Sequence, residues 1–160
     1  MAAILTRVIQ IVHRFEDALL ISALLSMLMM AVIQIGLRNF FDSGIFWAES
    51  FLRVLVLWIA ILGAMVATRE SNHISIDAIS RFLAPTAFRI VLLLTSLFSA
   101  VICGVVAFYS FEFVEYEYLD KTIAFAAVPT WVCQSIIPVG FTIMAIRFVI
   151  TGITRSLEKA

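Results

Sequence analysis

Charged residues divide this chain into long apolar runs, and three of those runs match a bilayer in length. Ala18 to Leu37 is 20 residues without a charge, Ile90 to Phe111 is 22, and Val128 to Ile146 is 19. A helix rises 1.5 Å per residue, so about 20 residues cross the ~30 Å hydrocarbon core. A fourth run, Val54 to Thr68, is only 15 residues. Its helix is therefore expected to begin near Ile45 and to take in Glu49 and Arg53. The pattern predicts an all-α integral membrane protein with four transmembrane helices, over 17–38, 46–68, 87–112 (with an extension to 118) and 129–151.

Two shorter patterns flank these spans. Leu5, Val8, Ile9, Val12 and Phe15 recur at helical spacing, with Arg7, Gln10, His13 and Arg14 opposite. They predict an amphipathic helix over 1–16 that lies in the membrane interface before the chain turns inward at Glu16–Asp17. The alternative is a plain extension of the first span. Ile74, Ile76, Ile79, Phe82 and Leu83 predict a second short interfacial helix over 74–84, ended by Pro85. Pro138 lies inside the last span and offers no N–H to the carbonyl of Gln134, which predicts a kink there. No internal repeat or flexible linker separates the spans, so one membrane domain over 1–160 is expected.

The positive charges suggest an orientation. Arg7 and Arg14 precede the first span, Arg69, Arg81 and Arg89 lie between spans two and three, and Arg155 and Lys159 end the chain. The opposite loops hold only Arg38, Arg53 and Lys121. Lysine and arginine accumulate on the cytoplasmic side, so both termini are expected there. The loop after the third span is then external and acidic, carrying Glu112, Glu115, Glu117 and Asp120, with Tyr109, Tyr116, Tyr118 and Trp131 as an aromatic belt.

Composition narrows the chemistry. Hydrophobic residues make up 63% of the chain, charged residues 14%, and the mean hydropathy is +1.10. Lys+Arg and Asp+Glu are 11 each, so the net charge is zero and no basic face is available for nucleic acid. Cys103 and Cys133 both fall in apolar runs, which favours packing over a disulfide framework or a metal site. Arg38-Asn39-Phe40 follows the first span where a signal peptide would show a small-residue cleavage site, so that span is expected to be retained.

No nucleophile with a base, phosphate loop or spaced Cys/His set is present, and neither an enzyme nor a bound metal or cofactor is expected. Charges inside the spans are the residues that need a reason. Glu49 and Arg53 are four apart, with the acid N-terminal, the favourable order for a helical ion pair. They read as a structural or assembly pair rather than an ion relay. His73 and Asp77 share the same spacing at the start of the second interfacial helix and read as local structure or a partner contact.

The segment Trp47 to Asp77, WAESFLRVLVLWIAILGAMVATRESNHISID, resembles the signature region of the small membrane subunit of tripartite ATP-independent periplasmic (TRAP) transporters, the DctQ-like family. Trp47, Glu49, Arg53, Trp58, Gly63, Arg69, His73, Ile74 and Asp77 fit its places, as do Pro129, Trp131, Pro138, Gly140 and Arg147 in the last helix. Ser50 departs from it, since a second Glu is common there.

The resemblance implies a bacterial inner-membrane complex of three parts. A periplasmic binding protein delivers an organic acid, such as a dicarboxylate or sialic acid, to a large permease subunit that moves it inward with sodium. The small subunit serves as a non-catalytic scaffold for the large one, in contact with membrane lipids. Glu112, Glu115, Glu117 and Asp120 become candidates for docking the binding protein. Two other classes stand beside it. An autonomous four-helix exporter, acting as a homo-oligomer, would want an acid inside the first span, whereas Ala18 to Leu37 has none and only Gln34 as a sizeable polar group. A haem-bearing redox anchor would want histidines inside the spans, whereas His13 and His73 lie outside them.

Overall fold

The structure, a computed structural model, describes residues 2–70 and 85–158. Helix α1 spans Ala2–Phe41, α2 Ala48–Glu70 and α3 Pro85–Asp120. Two short strands follow, β1 Ile123–Phe125 and β2 Val128–Pro129, then α4 Thr130–Gln134 and α5 Ile136–Glu158. Among the described residues, four stretches are long and apolar enough to cross a membrane: Ile9–Phe41, Ala48–Arg69, Ile90–Asp120 and Thr130–Thr154. In lipid the backbone must satisfy its own hydrogen bonds, which is why such stretches fold as helices.

Helix α1 runs unbroken through Glu16–Asp17, where a turn was expected. Gly36 is its first glycine and it contains no proline, so no residue interrupts the ladder near Glu16. Its 40 residues amount to about 60 Å of helix, twice the hydrocarbon core. Helix α3, with 36 residues, likewise outruns the core and carries the acidic stretch to Asp120. The expected helix over 74–84 lies outside the described residues.

The chain divides into two compact units. The first comprises Met1–Val66 and Val114–Ile136. Its buried residues include Ala23, Ala48, Leu62 and Cys133, and Leu62 is almost fully enclosed at 2% exposure. Helix α1 gives way to α2 through a tight turn, opened by Asp42 at φ 45°, a left-handed conformation that aspartate tolerates. The Gln34 side chain brackets that turn. Its Oε1 accepts from the Ile45 N–H at 3.1 Å, and its Nε2 lies 3.5 Å from the Ile45 carbonyl. Gly44 fits beneath, since a Cβ there would come within 3.1 Å of Gln34 Nε2.

Helix α3 ends at Asp120, and Lys121 after it is also left-handed, at φ 52°. The strands then pair antiparallel, Phe125 opposite Val128 and Ile123 opposite Pro129, and the Thr130 N–H closes the hairpin on the Thr122 carbonyl at 2.9 Å. The helical path pauses at Ser135, three residues before Pro138, where the missing proline N–H leaves the Gln134 carbonyl without its helical donor.

The second unit comprises Ala67–Phe113 and Ile137–Ala160. Ala100, Cys103 and Met144 are buried in it, as are Pro138, Gly140 and Gly152. Gly152 lies so close to Ser96 of α3 that a Cβ would fall 3.1 Å from the Ser96 Cβ. Small residues let helices approach closely in a membrane, where lipid contacts compete with side-chain packing.

Candidate functional site

The residues singled out from the sequence gather mainly in the first unit. Trp47 precedes α2 and stacks on Phe125 of the hairpin, with ring centroids 6.2 Å apart. Phe51, one turn into α2, meets both edge-on, at 5.9 Å from Trp47 and 5.3 Å from Phe125. The hairpin is thereby fixed to the start of α2 by three rings. About two turns further, Trp58 donates its indole N–H to the Cys133 carbonyl at 2.9 Å, tying α2 to α4. Tyr118 meets Trp131 edge-on at 5.5 Å. Both rings help line a shallow apolar recess of about 250 Å³ that also includes Lys121, Ile123 and Pro129.

The charged candidates are placed differently. Glu49 lies in the first turn of α2 and Arg69 in its last, each the favourable sign for the helix dipole. Glu49 and Arg53 are both exposed, and among the described residues no ion pair joins them. Their spacing permits a pair, but among the described residues neither side chain is covered. Arg69 is half-buried and already engaged by another group, as is Arg147. His73 and Asp77 lie outside the described residues. Of the acidic stretch, Glu112, Glu115 and Asp120 are exposed, whereas Glu117 is half-buried and accepts the Thr122 hydroxyl.

Sequence reasoning gave Gln34 no role beyond being the sizeable polar group of the first span. Its isolation in an uncharged run was the available signal. Phe51 and Phe125 gave no signal among the chain's 14 phenylalanines. Glu16 is buried at 3% exposure, although its place next to Asp17 read as a turn. Cys103 and Cys133 are free and buried. No group of three or more metal-ligating side chains occurs among the described residues.

These aromatic and charged residues follow the order of the signature segment, and the chain matches a family over most of its length. Residues 27–157 match the family described as tripartite ATP-independent periplasmic transporters, DctQ component. The chain belongs to the DctQ family. It is 30% identical over 92 residues to a Haemophilus influenzae protein named as a TRAP transporter small permease, covering 58% of this chain and 57% of that one. It is 29% identical over 103 residues to the C4-dicarboxylate TRAP transporter small permease protein DctQ of Rhodobacter capsulatus, covering 64% and 45%.

The chain thus spans about half the length of these two relatives. Similarity to the sialic acid TRAP transporter small permease protein SiaQ of Vibrio cholerae extends further, at 22% identity over 138 residues, 86% of this chain and 79% of that one. These relatives are permease subunits rather than enzymes. With four stretches able to span a bilayer, the DctQ-family chain is a multi-pass inner-membrane protein.

Proposed function

We propose that this chain is the small, non-catalytic scaffold subunit of a TRAP transporter that imports an organic acid with sodium. The observation that carries the proposal is the family match over residues 27–157. The exposed character of the helices supports it. Large apolar residues cover most of their outward faces, as expected of a subunit that meets lipid on some sides and a larger membrane partner on another. In this reading the large permease subunit moves the substrate, and this chain gives it a stationary neighbour in the bilayer.

Both termini are cytoplasmic in this reading, which puts the α1–α2 turn and the β1–β2 hairpin on the periplasmic side. Glu112, Glu115, Glu117 and Asp120 then face the incoming binding protein. Two of these relatives are named for C4-dicarboxylate and sialic acid, both small molecules bearing a carboxylate. The substrate of this system is accordingly proposed to be a carboxylate selected by the binding protein and the large subunit.

The test is co-expression with the neighbouring genes, purification through a tag on this chain, and uptake in proteoliposomes on addition of the binding protein. A stable complex with a large multi-spanning permease is expected. Glu49→Ala and Arg53→Ala are expected to lower complex yield and uptake together. Normal assembly and uptake in both variants would remove the role given to those two residues. A homo-oligomer without a large partner would remove the scaffold reading itself.

A further inference from the structure

The recess beside the hairpin has no role in the scaffold reading. Tyr118, Leu119, Ile123, Pro129 and Trp131 give it mainly apolar walls, and Lys121 and Thr122 complete its lining. At about 250 Å³ it is smaller than the ~300–1,000 Å³ pockets that enclose a whole small molecule. It suits one segment of a longer ligand, the rest of which lies along the protein surface.

The level of the recess in the bilayer narrows that ligand. The uncharged run of α3 ends at Phe111, and Tyr118 is seven residues further, about 10 Å along the helix. Trp131, which Tyr118 meets edge-on, is the second residue of the last spanning stretch. Tyrosine and tryptophan concentrate where hydrocarbon gives way to headgroups. A recess bounded by these two rings opens at the depth of the glycerol and phosphate of a phospholipid.

Charge is an independent observation. Lys121 is exposed and forms no ion pair among the described residues, although Glu117 stands four residues before it. Glu117 accepts the Thr122 hydroxyl instead. Lys121 also holds a left-handed backbone, at φ 52°, that glycine would adopt without strain. An ammonium group is thus kept at the rim of an apolar recess against the preference of the backbone. The dipole of α3 favours a cation at this end, but it does not call for a recess beside one.

Asp120, the neighbour of Lys121, is exposed as well and forms no ion pair among the described residues. A headgroup carrying negative charge alone would be repelled by Asp120, and a choline headgroup has no N–H to donate to it. A phosphate joined to a primary amine answers both residues, since phosphate accepts from an ammonium and an amine donates to a carboxylate.

We infer that the recess at Lys121 binds a phospholipid whose headgroup carries both a phosphate and a primary amine. The phosphate meets Lys121, the amine meets Asp120, and the glycerol end of the acyl chains lies against Ile123 and Trp131. The inference rests on the membrane placement of the helices and not on the scaffold reading.

The full chain, purified through a tag and depleted of lipid, is titrated in detergent with phosphatidylethanolamine, phosphatidylglycerol or phosphatidylcholine. Bound lipid is counted by native mass spectrometry. Phosphatidylethanolamine is expected to bind more tightly than the other two. Lys121→Gly is the decisive variant, because glycine suits the left-handed backbone and the fold is retained. It is expected to weaken phosphatidylethanolamine binding about fivefold, the upper range for one exposed ion pair, with no fall in Tm. Asp120→Asn is expected to abolish the preference over phosphatidylglycerol. Arg38→Gln, at an exposed cation in the last turn of α1, leaves binding unchanged.

Equal affinity for the three lipids would overturn the inference, as would native binding in Lys121→Gly. A photo-crosslinking residue, benzoylphenylalanine, at Ile123 in membranes of the co-expressed transporter is expected to give a lipid adduct. A protein adduct from that position would assign the recess to a protein partner and overturn the inference too. Failure of the chain to recover a large subunit would remove the scaffold reading and leave the lipid titration as it stands.

Discussion

Replacing Trp58 by Phe removes one hydrogen bond while keeping an aromatic ring between α2 and α4. The bond runs from Nε1 to the Cys133 carbonyl at 2.9 Å, the commonest length for an N–H donor and a carbonyl acceptor. Cys133 is 5% exposed, so the abandoned carbonyl has little access to solvent. Hydrogen bonds between membrane helices contribute about 0.6 kcal/mol on average and up to about 1.7. An acceptor left buried without a partner costs about 1–3 kcal/mol.

Taking the overlap of those ranges, Trp58→Phe is expected to destabilise the folded state by about 1–2 kcal/mol. For a chain of this length that corresponds to a fall in Tm of about 2–8 °C. Thermal unfolding in detergent, followed with a thiol-reactive fluorophore, measures it, because Cys103 and Cys133 are free and buried in the folded chain. Trp47→Phe is the control, since the Trp47 indole is partly exposed and makes ring contacts rather than a hydrogen bond. Equal shifts for the two variants would refute the reasoning and assign the role of Trp58 to ring packing alone.

Two further predictions concern close approaches. Gly152→Ala drives a methyl group into Ser96 and is expected to cost about 1–3 kcal/mol, as overpacking does. Ser96→Gly in the same chain should restore most of that loss, and an unaltered Tm in the single variant would show that the contact is loose. Gln34→Met keeps the shape of the side chain but leaves the Ile45 N–H without its acceptor, an expected loss of about 1–3 kcal/mol. Native thermal stability in that variant would mean that the α1–α2 turn holds its form without the bracket.

The scaffold reading gives these contacts a common purpose. A subunit that must hold still beside a moving partner gains from ties that bridge separate elements rather than from helix propensity. The Trp47, Phe51 and Phe125 rings link the hairpin to α2, and Trp58 links α2 to α4. Both ties lie in the first unit.

By itself the sequence determined the four helices and the family. Runs such as Ile90 to Phe111 exceed what a soluble core uses and match the bilayer, and in lipid the helix is the local solution to backbone hydrogen bonding. The signature from Trp47 to Arg69 was also legible, because residue identity at fixed helical spacing is a one-dimensional property. Only the tertiary structure decided what each signature residue touches. Trp58 finds a carbonyl 75 residues away, which no spacing rule anticipates.

Glu49 and Arg53 had the spacing of an ion pair, yet the fold leaves both exposed, since spacing fixes a shared helix face but not what covers it. The same reason separates Gly63 from Gly152. Both are glycines within apolar helices. One opens on free space and the other is pressed against Ser96, and that difference arises only when a second helix is brought alongside.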